Sequence, residues 1–259
     1  MDLDDVRLVK GAKGSMPPDS VAVERAVRDN QPAALARALS AGADPEGGFV
    51  GFGHSPLALA AFFCHGSCVA LLIKARAKLN QVDGRGRSPL ILANDAECAA
   101  LLIEAGASLN LADDEGFTAV LSAARSGAPL KIRVLGKAKA DLEACEHNGR
   151  TALMVATING RSDCVQALLD LDALVDALDP FGRTALIYAA RNQQLDAVRL
   201  LVSAGADPMI KDEDGYSALD WARKSNSPDA TALLSSAQEA AELRACVKSA
   251  PLARIRLGL

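Results

Sequence analysis

The chain has 259 residues and a formal net charge of −4, and half of its residues are apolar. Aromatic residues make up only 3% while alanine is abundant, which favours closely packed helices over a β-sandwich of β-branched and aromatic strands. The small negative net charge gives no general reason to expect nucleic acid or an anionic membrane as a partner.

The N-terminal segment MDLDDVRLVKGAKGSMPPDS is charged and has no apolar run, so it does not read as a secretory signal. Without such a signal, six cysteines indicate a reducing compartment, and we expect a cytoplasmic location, with the nucleus as the alternative. Residues 1–18 lack periodicity and are predicted to form a flexible arm. Residues 47–73 contain no charged residue, but their apolar pieces are too short to cross a membrane.

A serine or threonine that would begin a helix recurs through most of the chain. Successive copies lie 33, 30, 33, 33 and 33 residues apart, at Ser55, Ser88, Thr118, Thr151, Thr184 and Ser217. A constant period of this length indicates an array of stacked helical units. The most regular copy, residues 179–208, reads DPFGRTALIYAARNQQLDAVRLLVSAGADP.

This copy resembles an ankyrin repeat. The residues that it shares with the family pattern are Asp179, Gly182, Thr184, Leu186, Ala189, Ala190, Val198, Leu201, Gly205, Ala206 and Asp207. Three positions depart from the pattern, since Ala185, Ile187 and Gln193 stand where Pro, His and Gly are usual. The resemblance implies an all-α ankyrin-repeat solenoid of about seven helix-turn-helix units, joined by β-turn or hairpin loops.

The predicted array covers residues 19–236. Its parts are an N-terminal cap at 19–46, five internal repeats at 47–81, 82–111, 112–144, 145–177 and 178–210, and a C-terminal cap at 211–236. Arg25 and Arg28 would give the first cap the polar outer face that the end of a solenoid needs. Residues 237–259 are predicted to form a further helix and a basic tail.

Three repeats depart from the regular pattern in ways that predict local structure. Repeat three is three residues short between Ser88 and Cys98, so its first helix should be stunted. Arg76 occupies the helix-ending position that favours glycine, which predicts local strain or a different turn. Gly136 replaces a core leucine in repeat four, so loose packing is expected there.

The sequence offers little that points to catalysis or to metal binding. Cys64, His65 and Cys68 form one close group, but a structural zinc site usually needs a second pair. The repeat register places Cys68, Cys98 and Cys164 at one core position, where a free thiol acts as a small hydrophobe. No nucleophile signature or phosphate-binding loop is present, and we therefore expect no catalytic residue, no metal and no cofactor.

The resemblance implies that partners bind the turn tips and the exposed, concave face of the first helices. Aromatic residues and arginine are frequent at interface hot spots, and several of them occupy positions at the turn tips and first-helix ends that the repeat pattern leaves variable. The candidate partner-binding residues are Phe62, Phe63, Arg85, Arg87, Phe117, Arg125, His147, Arg150, Ile158, Phe181, Arg183, Arg191, Tyr216 and Arg223. Tyr188 and Trp221 are assigned to core packing instead.

The sequence therefore predicts a monomeric, non-catalytic protein-protein interaction module, an adaptor, scaffold or inhibitor whose partner is another protein. Nucleic acid and membrane are not expected as partners. Two alternatives stay open: a targeting module of an enzyme or larger assembly, and a small-ligand binder with a site near the irregular repeat three. Asn80 and Asn110 occupy a turn position that is hydroxylated in some ankyrin proteins, although a structural role is preferred for them.

Overall fold

The computed structural model describes residues 18–47 and 53–249. Most of the predicted arm, the centre of the glycine-rich loop before repeat two and the basic tail lie outside them. Within these ranges the backbone forms helices, plus one isolated antiparallel bridge between Lys211 and Ser217. The helices are α1 (Pro18–Arg28), α2 (Pro32–Ser40), α3 (Pro56–Phe62), α4 (Gly66–Lys74), α5 (Pro89–Leu92), α6 (Ala96–Glu104), α7 (Ala119–Ser126), α8 (Pro129–Lys137), α9 (Ala152–Ile158), α10 (Ser162–Leu169), α11 (Ala185–Arg191), α12 (Leu195–Ser203), α13 (Ala218–Lys224) and α14 (Pro228–Ser249).

These helices form seven sequential pairs that stack in two layers. Each odd-numbered helix packs against its own even-numbered partner and against the odd-numbered helices of the neighbouring pairs, and the even-numbered helices stack in the same way. The predicted all-α solenoid is therefore confirmed. In such an array each unit buries its apolar face only against its neighbours.

The recurring serine and threonine begin the first helices from α3 to α13, as the period predicts. Each of the six side chains accepts a hydrogen bond from the backbone N–H three residues later, as Ser55 does from Ala58 and Thr184 from Ile187. This cap satisfies an amide that the helix itself leaves unpaired, and contributes about 1 kcal/mol. The caps thus fix where each first helix starts relative to the turn before it.

The core is built from small and branched apolar side chains, and the three register-related cysteines belong to it. Cys68, Cys98 and Cys164 are fully buried in the second helices. The expected loose packing at Gly136 is wrong, because Leu171 of the next repeat occupies the space. A Cβ atom added at Gly136 would lie 2.5 Å from Leu171 Cδ1, so the glycine accommodates a side chain from its neighbour.

The strain predicted at the helix-ending residue Arg76 is confirmed. Its φ is 64°, and its amide and that of Ala77 bond back to α4 through the carbonyls of Ile73 and Leu72. The turn is therefore the usual left-handed one, adopted by a residue for which that conformation costs roughly 1–2 kcal/mol. Lys139 and Asp172 take the same conformation at the ends of α8 and α10.

The deletion in repeat three shortens α5 to the four residues Pro89–Leu92, and a distant lysine compensates. Lys131 of α8 is buried, and its Nζ lies 2.7 Å from the Ala93 carbonyl oxygen and 3.1 Å from that of Ile91. A longer helix would satisfy these carbonyls with its own amides. Lys131 therefore caps the shortened helix, a role that repeat periodicity does not reveal.

The last helix is longer than the array pattern predicts. Helix α14 runs without interruption from Pro228 to Ser249, so the second helix of repeat seven and the predicted C-terminal helix are one element. None of the helices in the described ranges combines the length and apolar character needed to span a membrane.

Candidate partner-binding surface

A carboxylate organises the turn before each first helix from α5 to α13, and it is buried in all of these turns except that of repeat four, where Asp113 is half-buried. In repeat three, Asp83 Oδ1 accepts the backbone N–H groups of Arg85 and Arg87, both at 2.9 Å. Asp179 does the same in repeat six with Phe181 and Arg183, again at 2.9 Å. These bonds close the turn rigidly and hold its tip beside the start of the helix.

The same carboxylates also anchor side chains at the surface of the array. Trp221 Nε1 donates to Asp212 Oδ2 at 2.8 Å, and the Tyr188 hydroxyl donates to Asp179 Oδ2. Burial raises the pKa of Asp212, but hydrogen bonds from the Tyr216 amide and Trp221 outweigh it and keep the pKa below its usual value. Asp212 is therefore a charged acceptor that fixes the ring of Trp221.

The first-helix face is defined as the exposed ends of α3, α5, α7, α9, α11 and α13 together with the turn tips that precede them. The exposed candidates on it are Arg85, Arg125, His147, Phe181, Arg191 and Arg223. The candidates that are only half-buried are Phe62, Phe63, Arg87, Arg150, Ile158, Arg183 and Tyr216.

Two aromatic candidates are not the exposed anchors that the sequence predicts. Phe117 is only 8% exposed, because it packs in the hydrophobic core and the guanidinium of Arg125 lies 3.9 Å over its ring centroid. Phe63 packs against the hydrophobic core and stacks on His65, with ring centroids 5.6 Å apart. The face therefore exposes less aromatic surface to a partner than the sequence positions of Phe63 and Phe117 predict.

Two arginine candidates are already engaged in ion pairs with buried turn carboxylates. The half-buried Arg87 places its Nη2 2.8 Å from Asp83 Oδ2. Arg183 lies 3.6 Å from Asp212 and 3.5 Å from Asp214. Both side chains brace the turns, so their first role is structural.

Cations lie over aromatic rings along the face from repeat four to repeat seven. Besides Arg125 over Phe117, the Arg150 guanidinium lies 5.6 Å from the Tyr188 ring and that of Arg191 lies 4.9 Å from the Trp221 ring. Such stacking holds a guanidinium in place while its N–H edges stay available to an anion. The sequence assigns Trp221 to core packing only. Its ring is in fact half-buried, and cations stack on it at the surface.

Two grooves lie next to each other on this face and share Arg125. The first, of about 460 Å³, lies beside the shortened α5 and is lined by Phe62, Arg87, Ile91, Leu92, Asn94, Ser122, Arg125 and Ser126. The second, of about 440 Å³, lies between repeats four and five and is lined by Glu115, Phe117, Arg125, Glu146, His147, Asn148, Arg150, Val155, Ile158 and Asn159. Seven of the fourteen candidates line one or both grooves, and Ser122 and Val155 are lining residues that the sequence does not single out.

The residues of the possible cysteine-histidine site have other roles. His65 Nδ1 bonds the Val27 carbonyl oxygen at 2.8 Å, and Cys68 is buried beside it in α4 while Cys64 is exposed. In the described part of the chain, no three His, Cys, Asp or Glu side chains gather as a metal ion would require. Asn80 exchanges two hydrogen bonds of 2.9 Å with Ser108 of the next repeat, which fits the structural role preferred for it.

The two-layer stack of helix pairs defines a helical-repeat solenoid. A family model for ankyrin repeats matches residues 23–113, 94–179, 120–212 and 172–244, and the chain belongs to the ankyrin repeat family. No curated protein matches the sequence at a significant level.

Two solved structures show how closely the fold follows known ankyrin domains. The ankyrin repeat domain of Bcl-3, described as a unique member of the IkappaB protein family, is 27% identical with a TM-score of 0.73. That match covers 83% of this chain and 97% of the other. The human ASB11 ankyrin repeat domain is 28% identical with a TM-score of 0.71, covering 82% and 96% of the two chains.

Proposed function

We propose that this protein is a non-catalytic module that binds another protein through its first-helix face, as an adaptor, scaffold or inhibitor. Ankyrin repeat domains generally act as protein-interaction modules, and the similar domains of Bcl-3 and ASB11 belong to this class of fold. The observation that carries the proposal is the pair of adjoining grooves, where aromatic, aliphatic and arginine side chains lie on rigidly held turns and helix ends.

The rigidity of this face supports a role in partner binding in addition to its role in holding the repeats together. Helix caps and turn carboxylates fix the positions of the side chains before a partner arrives, so little ordering entropy is lost on association. Arginine and aromatic groups that are already packed in place are typical of interface hot spots. A monomeric state and a cytoplasmic or nuclear location stay predictions from the sequence.

A pair of photo-crosslinking positions in repeat five tests the proposal. Asn159 and Gln166 are both exposed, but Asn159 lines the second groove at the end of α9 whereas Gln166 lies on the second helix α10. A photoreactive amino acid at Asn159 should give discrete protein adducts in cells, and the same group at Gln166 should not. Equal yields from both positions, or adducts at Gln166 alone, would show that the first-helix face is not the binding surface.

A second candidate function is small-ligand binding beside repeat three. The observation that favours it is the groove of about 460 Å³ next to α5, whose size lies in the range of ligand pockets. Ser122 lines this groove, and Ser122→Leu would fill part of it with a side chain that the same position carries in repeat two. A ligand that raises the Tm of the wild type but not of Ser122→Leu would establish this function, while no such difference across a metabolite collection would exclude it for that collection.

A further inference from the structure

The exposed ends of the first helices form a cationic row from repeat four to repeat seven, although the turn tips of the same face carry carboxylates and the whole chain has a net charge of −4. The charged residues of α7, α9, α11 and α13 are Arg125, Arg191, Asp220, Arg223 and Lys224, which is four cations and one carboxylate. The excess of three positive charges (4 − 1) lies at the exposed ends of these helices. A row of cations on an acidic protein favours a partner whose carboxylates are placed to meet that row.

Repeats six and seven concentrate this charge around one ring. The Arg191 guanidinium lies 4.9 Å from the Trp221 ring centroid, and Lys224 Nζ lies 4.7 Å from the same centroid. The nearby carboxylate of Asp220 is engaged in the capping box with Ser217, and its Oδ1 lies 4.0 Å from Arg223. Two cations close to one fixed ring would be relieved of mutual repulsion by a further anion.

Repeat five interrupts the row of cations with an apolar position. Its first helix, α9, carries no charged residue, and Ile158 at its end lines the second groove together with Val155. Burial of apolar surface in such a groove contributes about 25 cal/mol per Å². This position therefore suits an apolar side chain of the partner, with cations of repeats four and six on either side.

The spacing of the repeats fits an extended segment. Packed neighbouring helices lie about 8–10 Å apart, and an extended chain advances about 3.3 Å per residue, so one repeat corresponds to about three residues. Turn tips also bear carboxylates, with Glu115 lying 3.6 Å from Arg125 and Asp214 lying 3.5 Å from Arg183. These acidic tips would repel a continuous polyanion such as nucleic acid, whereas spaced carboxylates can meet the cations between them.

We infer that the partner presents an extended acidic segment of the pattern acidic-x-x-apolar-x-x-acidic-x-x-acidic, in either chain direction, along repeats four to seven. The first acidic side chain faces Arg125, the apolar one enters the groove at Ile158, and the other two face the cations of repeats six and seven. This inference rests on the proposed function, because it names the partner chemistry of the same surface.

Labelled ten-residue peptides test the register directly by fluorescence anisotropy. The probe carries glutamate at its first, seventh and tenth positions and leucine at its fourth, with glycine and serine elsewhere; a second probe has the reverse order. A shuffled peptide of equal composition is the control. We expect one of the two ordered probes to bind about tenfold more tightly than the shuffled one, because only its side chains match the repeat spacing.

Matched protein variants test the surface. Arg191→Gln/Arg223→Gln should weaken the ordered probe about tenfold, whereas Lys74→Gln/Arg199→Gln, on exposed positions of the second helices, should leave it unchanged. Equal binding of ordered and shuffled probes, equal loss in both variants, or tighter binding of a single-stranded oligonucleotide would overturn the inference. Crosslinked adducts at Asn159 would still support the proposed function in that event, so the two failures can be told apart.

Discussion

The buried amine of Lys131 provides a prediction that links the deletion in repeat three to stability. Replacing it by methionine keeps a similar length and apolar stem but removes the donor to the Ile91 and Ala93 carbonyl oxygens. A buried acceptor left without a partner costs about 1–3 kcal/mol. The Lys131→Met variant should therefore unfold more easily, by an amount that depends on pH.

The pH dependence follows from the titration of the amine. Burial lowers the pKa of Lys131 from 10.5 to about 7 in the folded protein. Between these values the unfolded chain holds the proton and the folded chain does not, so the free energy of unfolding of the wild type rises with pH. The variant lacks this contribution. The difference between them should grow from about 1 kcal/mol at pH 7 to about 3 kcal/mol at pH 9.

Urea unfolding of both proteins from pH 6.5 to 9.5 measures this difference. Lys137→Met is the matched control, because Lys137 belongs to the same helix but is exposed, and its effect should be near zero at every pH. If the difference in free energy of unfolding between wild type and Lys131→Met stays constant with pH, the claim that the buried amine is neutral would be refuted. A variant more stable than the wild type throughout would refute the capping role itself.

Three further changes test other parts of the account, each by urea unfolding. Arg76→Gly should stabilise the protein by about 0.5–1 kcal/mol, because it relieves the positive φ at an exposed residue, and a loss of stability would contradict the strain. Gly136→Leu should cost about 1–3 kcal/mol by colliding with Leu171, and Leu171→Ala should recover part of that loss; additive effects would mean that the two side chains do not meet. Tyr188→Phe should cost about 1–3 kcal/mol, since Asp179 loses a buried donor, and an unchanged midpoint would argue against that bond.

The fold could be predicted from the sequence because its determinants are local and repeated. The Ser and Thr caps, the turn carboxylates and the helix-ending glycines each act within a few residues, so one period of 33 residues contains them all. The short α5 was predictable for the same reason, since the residues between Ser88 and Cys98 can be counted against the other repeats. The helices and turns inside one repeat can therefore be predicted without a structure.

The candidate surface was only partly predictable because its contacts join different repeats. Arg150 stacks on Tyr188 and Arg191 on Trp221 across neighbouring units, which the sequence register alone cannot rank. Within repeat four, Phe117 packs in the core beneath the Arg125 guanidinium, and the capping role of Lys131 depends on a contact with Ala93 in the previous repeat. The positions that the repeat pattern leaves variable thus include both candidate partner-binding residues and residues that join neighbouring repeats.

The most direct test of the central claim is the affinity of a purified partner, identified through the Asn159 crosslink, for two charge-reversed variants. Arg125→Glu/Arg223→Glu alters the first-helix face, and Lys74→Glu/Arg199→Glu makes the same change of net charge on the second helices. We predict that Kd rises at least about tenfold for the first variant and changes less than about twofold for the second. Equal effects of the two variants on Kd, or a larger effect of the second, would contradict binding through the first-helix face.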